Sequence, residues 1–64
     1  MPEDLITYLK RLVEFSKKQL ECIDKALDNN EFDTADFCAA NALQSIMRIR
    51  STIVNQLRFS KEVK

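Results

Sequence analysis

The residues that could do chemistry in this chain are few, and its only thiols are Cys22 and Cys38. The sequence has no His and no Gly, so it lacks the usual carrier of protons near neutral pH and the flexible backbone of phosphate-binding loops. The cysteines are not spaced as a C-x-x-C pair, and without His they are a poor zinc set. Acids cluster over residues 28–36, but their spacing matches no Ca²⁺ loop. We therefore predict no catalytic residue, no metal and no cofactor, and a protein that is not an enzyme.

The two cysteines are too few for the disulfide framework of a small secreted protein. We expect reduced thiols packed as small core side chains. Because the two positions fall at about the same height on opposite arms of a hairpin, a disulfide or redox switch is the alternative.

The N-terminal segment 1–4 lacks the basic and apolar parts of a signal peptide. No apolar run approaches the roughly 18 residues that indicate a membrane span. The sequence therefore predicts a cytoplasmic protein with no membrane association.

Hydrophobic periodicity predicts an all-α fold with two helices. Apolar residues recur every three or four positions over about 3–27 and again over about 34–58. The short turn over 28–33 forces the helices antiparallel. We predict one helical-hairpin domain covering residues 1–64, with a frayed tail over 59–64.

The ends of the two helices carry recognisable capping residues. Pro2 suits a first helical position, and Asn29-Asn30 can take the left-handed C-cap conformation that Gly usually adopts. Asp33 is the expected N-cap of helix 2, with Phe32 packed on Phe37 as a hydrophobic staple.

Helix 2 has one strongly apolar row that we assign to the core. Its members alternate steps of four and three: Ala39, Leu43, Ile46, Arg50, Ile53 and Leu57. Arg50 interrupts this row, so its guanidinium must reach water along its stem or be paired at an interface. A polar residue in such a row can fix the register and the oligomeric state.

The apolar stripe of helix 1 is too wide to be covered by one neighbouring helix. Tyr8, Phe15 and Cys22 repeat every seven residues and extend the stripe to about 200°. This row either wraps around helix 2 or meets a second molecule, and we favour the second because a hairpin of this size is rarely stable alone. We predict self-association, a dimer above all, into a four-helix bundle. The expected self-association residues are Tyr8, Leu12, Phe15, Cys22 and Arg50.

Charge is distributed unevenly along the chain. Residues 1–36 carry five cations and nine anions, whereas residues 37–64 carry five cations and one anion. Folding gathers acids at the turn and bases at the open end. Antiparallel packing of two hairpins therefore brings opposite charges together, and parallel packing stacks like charges.

The outer stripe of helix 2 combines amides, hydroxyls, Arg and aromatic rings, where a solvated face usually carries alternating charges. Its residues are the expected partner-binding set: Phe37, Asn41, Gln44, Arg48, Thr52, Asn55 and Phe59. Such a surface suits a second protein partner. Nucleic acid is the less favoured partner, because only Arg48 and Arg58 could neutralise phosphates there.

A short acidic turn between two helices of similar length with heptad-spaced core residues resembles the Rop family of plasmid copy-number regulators. That resemblance implies a dimeric four-helix bundle that binds paired RNA loops. Segment 27–35 with its following Ala- and Ile-rich helix is also similar to small helical secretion chaperones. We expect a non-enzymatic protein–protein interaction module, acting as an oligomer in an adaptor, regulatory or chaperone role. The alternative is a Rop-like regulator that binds RNA or DNA.

Overall fold

The chain folds as a hairpin of two long helices. A computed structural model describes residues 4–62, in which α1 (Leu5–Asp28) and α2 (Phe32–Glu62) pack against each other and no strand occurs. The prediction of an all-α helical hairpin is confirmed. The molecule extends 52 × 24 × 12 Å. Since an α-helix with its side chains is about 10–12 Å across, the hairpin is one layer of two helices with two broad faces.

The first helix begins two residues later than the sequence suggested. Asp4 is its N-cap, with extended backbone angles, and its Oδ1 accepts a hydrogen bond of 2.8 Å from the backbone N–H of Thr7. Asp4 therefore lies just outside the helix, although the predicted span of about 3–27 included it. The proposed helical role of Pro2 falls outside the described residues.

The turn is a Schellman motif built on Asn30. The N–H of Glu31 donates to the carbonyl of Ala26 at 2.8 Å, and the N–H of Asn30 donates to the carbonyl of Leu27 at 3.1 Å. Asn30 has a φ of 58°, the only positive φ among the described residues, whereas Asn29 has a φ of −99°. The predicted left-handed C-cap is confirmed, and it reverses the chain within three residues, 29–31.

The geometry of the turn predicts the order of stability of variants at Asn29 and Asn30. Asn30→Gly should raise the free energy of unfolding by about 0.5 kcal/mol or more, and Asn30→Ala should lower it by about 1 kcal/mol, because a Cβ penalises the left-handed region. Asn29→Ala is the matched control and should change little, since its φ is already negative. Urea unfolding at one fixed protein concentration measures all three. Equal stability of Asn30→Ala and the parent would contradict the assignment.

The second helix begins earlier than predicted, at Phe32, and the N–H of Ala35 donates to the carbonyl of Glu31 at 3.0 Å. Asp33 is consequently inside the first turn and is not the N-cap, although its charge still favours that end of the helix. Phe32 and Phe37 are both helical and both 67% exposed. The predicted hydrophobic staple is therefore wrong. Helix 2 also continues to Glu62, past the predicted start of the frayed tail.

Small side chains form the seam between the helices. The buried residues of the described chain are Ser16, Ala26, Ala35, Cys38, Ala42 and Ser45, and no large side chain is fully buried. The half-buried positions Ile49 and Thr52 continue the row of α2. The predicted core row is wrong for the hairpin, because Leu43, Ile46, Arg50, Ile53 and Leu57 are all exposed. Its apolar residues lie beside the seam and not in it.

Two serines are hydrogen-bonded across the centre of the seam. Ser16 Oγ donates to the Leu12 carbonyl at 2.9 Å and lies 3.0 Å from Ser45 Oγ, which is also within 3.2 Å of the same carbonyl. Both hydroxyls are buried and satisfied. Their small size lets the helices approach, and their mutual bonding fixes the height at which the two helices meet. Ser16 is therefore hydrogen-bonded across the seam to Ser45.

Candidate interaction surfaces

The two broad faces of the hairpin differ because each helix carries a different row on either side of its seam. Because the helices are antiparallel, successive residues rotate clockwise about one helix axis and anticlockwise about the other when both are viewed from the same end of the hairpin. Residues that directly follow a seam residue in α1 therefore lie on the same face as residues that directly follow a seam residue in α2. Residues just after Leu12 in α1 and just after Ser45 in α2 lie on one face. Residues just before Ser16 and just before Ala42 lie on the other.

The first of these is an apolar face. It consists of Ile6, Val13, Leu20 and Leu27 of α1, which repeat every seven residues, and Leu43, Ile46, Ile53 and Leu57 of α2. All eight side chains are exposed, from 38% for Val13 to 61% for Leu57. Arg50 is the one charged residue within the α2 part of the face. An apolar surface that extends along most of a small protein, here interrupted on α2 by Arg50, is a mark of an interaction site.

The opposite face contains a polar groove. Its lining residues come from both helices and are Leu12, Phe15, Asn41, Gln44, Ser45 and Arg48. Phe15 is 45% exposed and forms the aromatic wall on the α1 side. Arg48 and the amides of Asn41 and Gln44 stand on the α2 side. The groove thus joins an apolar wall to hydrogen-bonding groups and one guanidinium.

The residues predicted for self-association are divided between the two faces. Phe15 lines the polar groove together with Leu12, which is half-buried at the seam. By helical spacing Tyr8 shares the side of Phe15, whereas Arg50 shares the row of Leu43 and Leu57 and borders a depression with Met47 and Asn55. The sequence placed these residues together because all of them border the core. Only the position of the seam shows that they lie on different faces.

Cys22, the fifth residue of that set, is joined to Cys38 by a disulfide. The Cα atoms are 6.3 Å apart and the two residues are separated by 16 positions. The expectation of two reduced thiols is wrong in this structure. The expectation that they fall at the same height, one on each helix, is confirmed. The bond ties the helices together near the turn.

The residues predicted to bind a partner lie mostly around the polar groove. Asn41, Gln44 and Arg48 line it, and Thr52 is half-buried beside it. Asn55 is exposed further along the same side of α2, while the rings of Phe37 and Phe59 are more than 60% exposed near the two ends. What the sequence missed was the contribution of α1. Phe15 belongs to this groove, and its seven-residue spacing from Cys22 was the available signal.

The charged residues of α1 form rows of their own. Arg11, Lys18 and Lys25 repeat every seven residues and lie next to the row that contains Phe15. Lys18 borders a depression with Phe15 and another with Cys22, which places this row at the edge of the polar groove. Glu14 pairs with Lys17 at 3.4 Å, across an i,i+3 spacing.

Within residues 4–62 neither helix has a stretch that is long and apolar enough to cross a membrane. The same residues contain no group of three or more Cys, Asp or Glu side chains arranged to hold a metal ion. No family model, no curated protein and no solved structure matches this chain. The resemblance to Rop therefore remains one of layout, without support from these comparisons.

Proposed function

We propose that this chain is a small, non-enzymatic protein–protein interaction module that works as a dimer, with the apolar faces of two hairpins packed together as a four-helix bundle. One observation carries the proposal. The described chain buries no large side chain fully, while eight large apolar side chains stand exposed on a single face. Two stacked layers would bury them between four helices, as in other bundles.

The energetics of the isolated hairpin support this assignment. The buried part of its seam consists of Ala, Ser and Cys side chains, which release little free energy on burial, and larger seam residues such as Leu12, Ile23 and Ile49 are only half-buried. A fully buried Leu or Ile contributes about 1.5–3 kcal/mol relative to an exposed one. Packing two apolar faces together would recover that contribution for most of the eight residues on each copy. Self-association therefore offers the missing core of a chain that is otherwise too small to be stable.

Charge favours an antiparallel arrangement of the two copies. The turn carries Asp28, Glu31, Asp33 and Asp36, and the opposite end of the hairpin carries Arg58. Antiparallel packing sets each acidic turn beside the basic end of the other copy, whereas parallel packing places the acidic turns together. Arg50, in the same row as Leu43 and Leu57, would disfavour registers that bury it without an acceptor.

Sedimentation equilibrium tests the dimer directly. At micromolar concentration we expect a mass near twice the 7.5 kDa of the chain. Helicity should fall on dilution in parallel with the loss of dimer, since the apolar faces would then be exposed to water. A fully helical monomer whose helicity is independent of concentration would contradict the proposal.

The polar groove faces away from the proposed dimer interface and is free for a second protein, which gives the module an adaptor, regulatory or small-chaperone role. Its amides and guanidinium suit a hydrogen-bonded protein interface. The cytoplasmic localisation stays a prediction, and the disulfide between Cys22 and Cys38 weighs against it. Disulfides are rare in cytosolic proteins, where thiols are kept reduced.

A further inference from the structure

We propose that the polar groove and its cationic border form a docking site for an acidic amphipathic helix of a partner protein. This inference names the partner chemistry within the proposed interaction module, and so rests on that function. It does not require the module to be a dimer. Three features of the structure carry it: the shape of the surface, the position of its apolar wall and the sign of its charges.

The polar groove lies between two antiparallel helices, and a third helix is the natural occupant of a groove of that kind. Phe15 lines the groove, and Tyr8 precedes it by seven residues on the same side of α1, which corresponds to about 10.5 Å along the axis. The two rings are 38% and 45% exposed. An amphipathic helix repeats its apolar residues at the same interval, so two successive apolar side chains can contact both rings.

Cations stand on both sides of the groove. Lys18 and Lys25 stand on the α1 border, in one row with Arg11, and Arg48 stands on the α2 side. The acids that line the same depressions are Glu14, which pairs with Lys17, and Glu21 and Glu31, which lie beside Lys18 and Lys25. On α2 there is no acid between Asp36 and Glu62. Carboxylates flanking the apolar stripe of a docked helix would meet cations on either side.

The same charges are too sparse for a nucleic-acid site. Arg11, Lys18 and Lys25 are spread along a helix of about 36 Å, and Arg48 stands across the groove on α2. Duplex DNA presents one negative charge per about 1.7 Å of its axis, so four cations over this length would neutralise only a small share. Cations about 10.5 Å apart instead match acids repeated every seven residues on an α-helix. The observations therefore favour an acidic protein helix over RNA or DNA.

The test uses the full chain and a defined probe. The probe is a fluorescein-labelled helical peptide of about 22 residues, about 33 Å long, with a Leu stripe flanked by Glu. A second peptide carries Lys at every Glu position, and a labelled RNA hairpin represents nucleic acid. Fluorescence anisotropy at low and physiological salt gives the affinity for each. Sedimentation of the same samples reports the oligomeric state independently.

Two neighbouring lysines supply matched variants. Lys18 borders the groove, whereas Lys17 points about 100° further round α1, away from it. Both are exposed, and each substitution to Glu makes the same change in charge. Both are made in a Glu14→Gln background, so that loss of the Glu14–Lys17 pair does not enter the comparison. We expect the acidic peptide to bind more tightly than the basic one. Lys18→Glu and Arg48→Glu should each weaken it about five- to tenfold, and Lys17→Glu by less than about twofold.

Equal effects of Lys17→Glu and Lys18→Glu would overturn the proposal, because the attraction would then come from overall charge. Equal binding of the two peptides, or no binding of the acidic one, would also overturn it. Salt-sensitive binding of the RNA without binding of the acidic peptide would replace it by a nucleic-acid site. A monomeric chain that still binds the peptide through Lys18 would refute the dimer and leave the docking site standing.

Discussion

Leu20→Glu is expected to convert the dimer into monomers. Leu20 lies in the middle of the apolar face and is 54% exposed in a single hairpin. The substitution therefore costs the isolated chain little, whereas in the bundle it would place a carboxylate among apolar side chains. Losing one buried Leu costs about 2 kcal/mol or more per copy. Because the interface contains the residue twice, the dissociation constant should rise by about a thousandfold or more. Sedimentation equilibrium over a concentration series measures it.

Phe15→Glu is the matched control for that variant. Phe15 is on the same helix, five residues away, and is similarly exposed at 45%, but it lies on the opposite face. The control should remain a dimer with nearly unchanged stability. If Phe15→Glu dissociates the dimer and Leu20→Glu does not, the second copy packs against the groove side. The original interpretation of the Tyr8 and Phe15 row as the self-association surface would then be correct.

The helices and their turn were predictable because their determinants are local. Apolar periodicity specifies a helix wherever it is sustained, and Asn30 adopts the left-handed conformation within the turn itself. The errors at the helix ends are also local. Asp33 has the right chemistry for an N-cap, but the Schellman motif ends so close to Phe32 that α2 starts before Asp33 is reached.

The seam was not predictable from hydrophobicity alone. The most apolar row of α2, with Leu43, Ile46 and Ile53, was taken for the core, and the structure instead packs Ala35, Ala42 and Ser45 against α1. A row of large side chains indicates that something covers it, but the sequence does not say which helix does so. Small residues permit the closest approach of two helices, and that requirement is visible only when both helices are considered together.

The polar groove could likewise be predicted only in part from the sequence. Asn41, Gln44 and Arg48 could be identified from α2 alone because their amides and charge are unusual on an exposed stripe. The sequence did not predict that Phe15 lines the same groove. The residues of α2 that lie opposite Phe15 depend on which rows of the two helices form the seam. Shifting the assumed seam of one helix by a single row moves one flanking row into the seam and the former seam row onto the opposite face.

Breaking the disulfide is the second change for which we expect a large effect, in this case on the free energy of unfolding. Cys22 and Cys38 are separated by 16 positions, and closing a loop of this size stabilises a protein by about 3 kcal/mol in the chain-entropy model. That is a large fraction of what so small a chain can reach. We therefore expect reduction to lower the free energy of unfolding by up to about 3 kcal/mol, measured by urea unfolding with and without a phosphine reductant at one protein concentration.

The double variant Cys22→Ala with Cys38→Ala separates this effect from other actions of the reductant. Cys38 is buried among alanines, so Ala fits its site with little loss of packing. The variant should have the stability of the reduced parent and should not respond to reductant. A thiol assay on the untreated, unfolded parent should find no free cysteine. Free thiols in that sample, or identical unfolding curves with and without reductant, would show that the bond does not stabilise the hairpin in solution. The buried alanine and serine residues of the seam would then hold the two helices together without it.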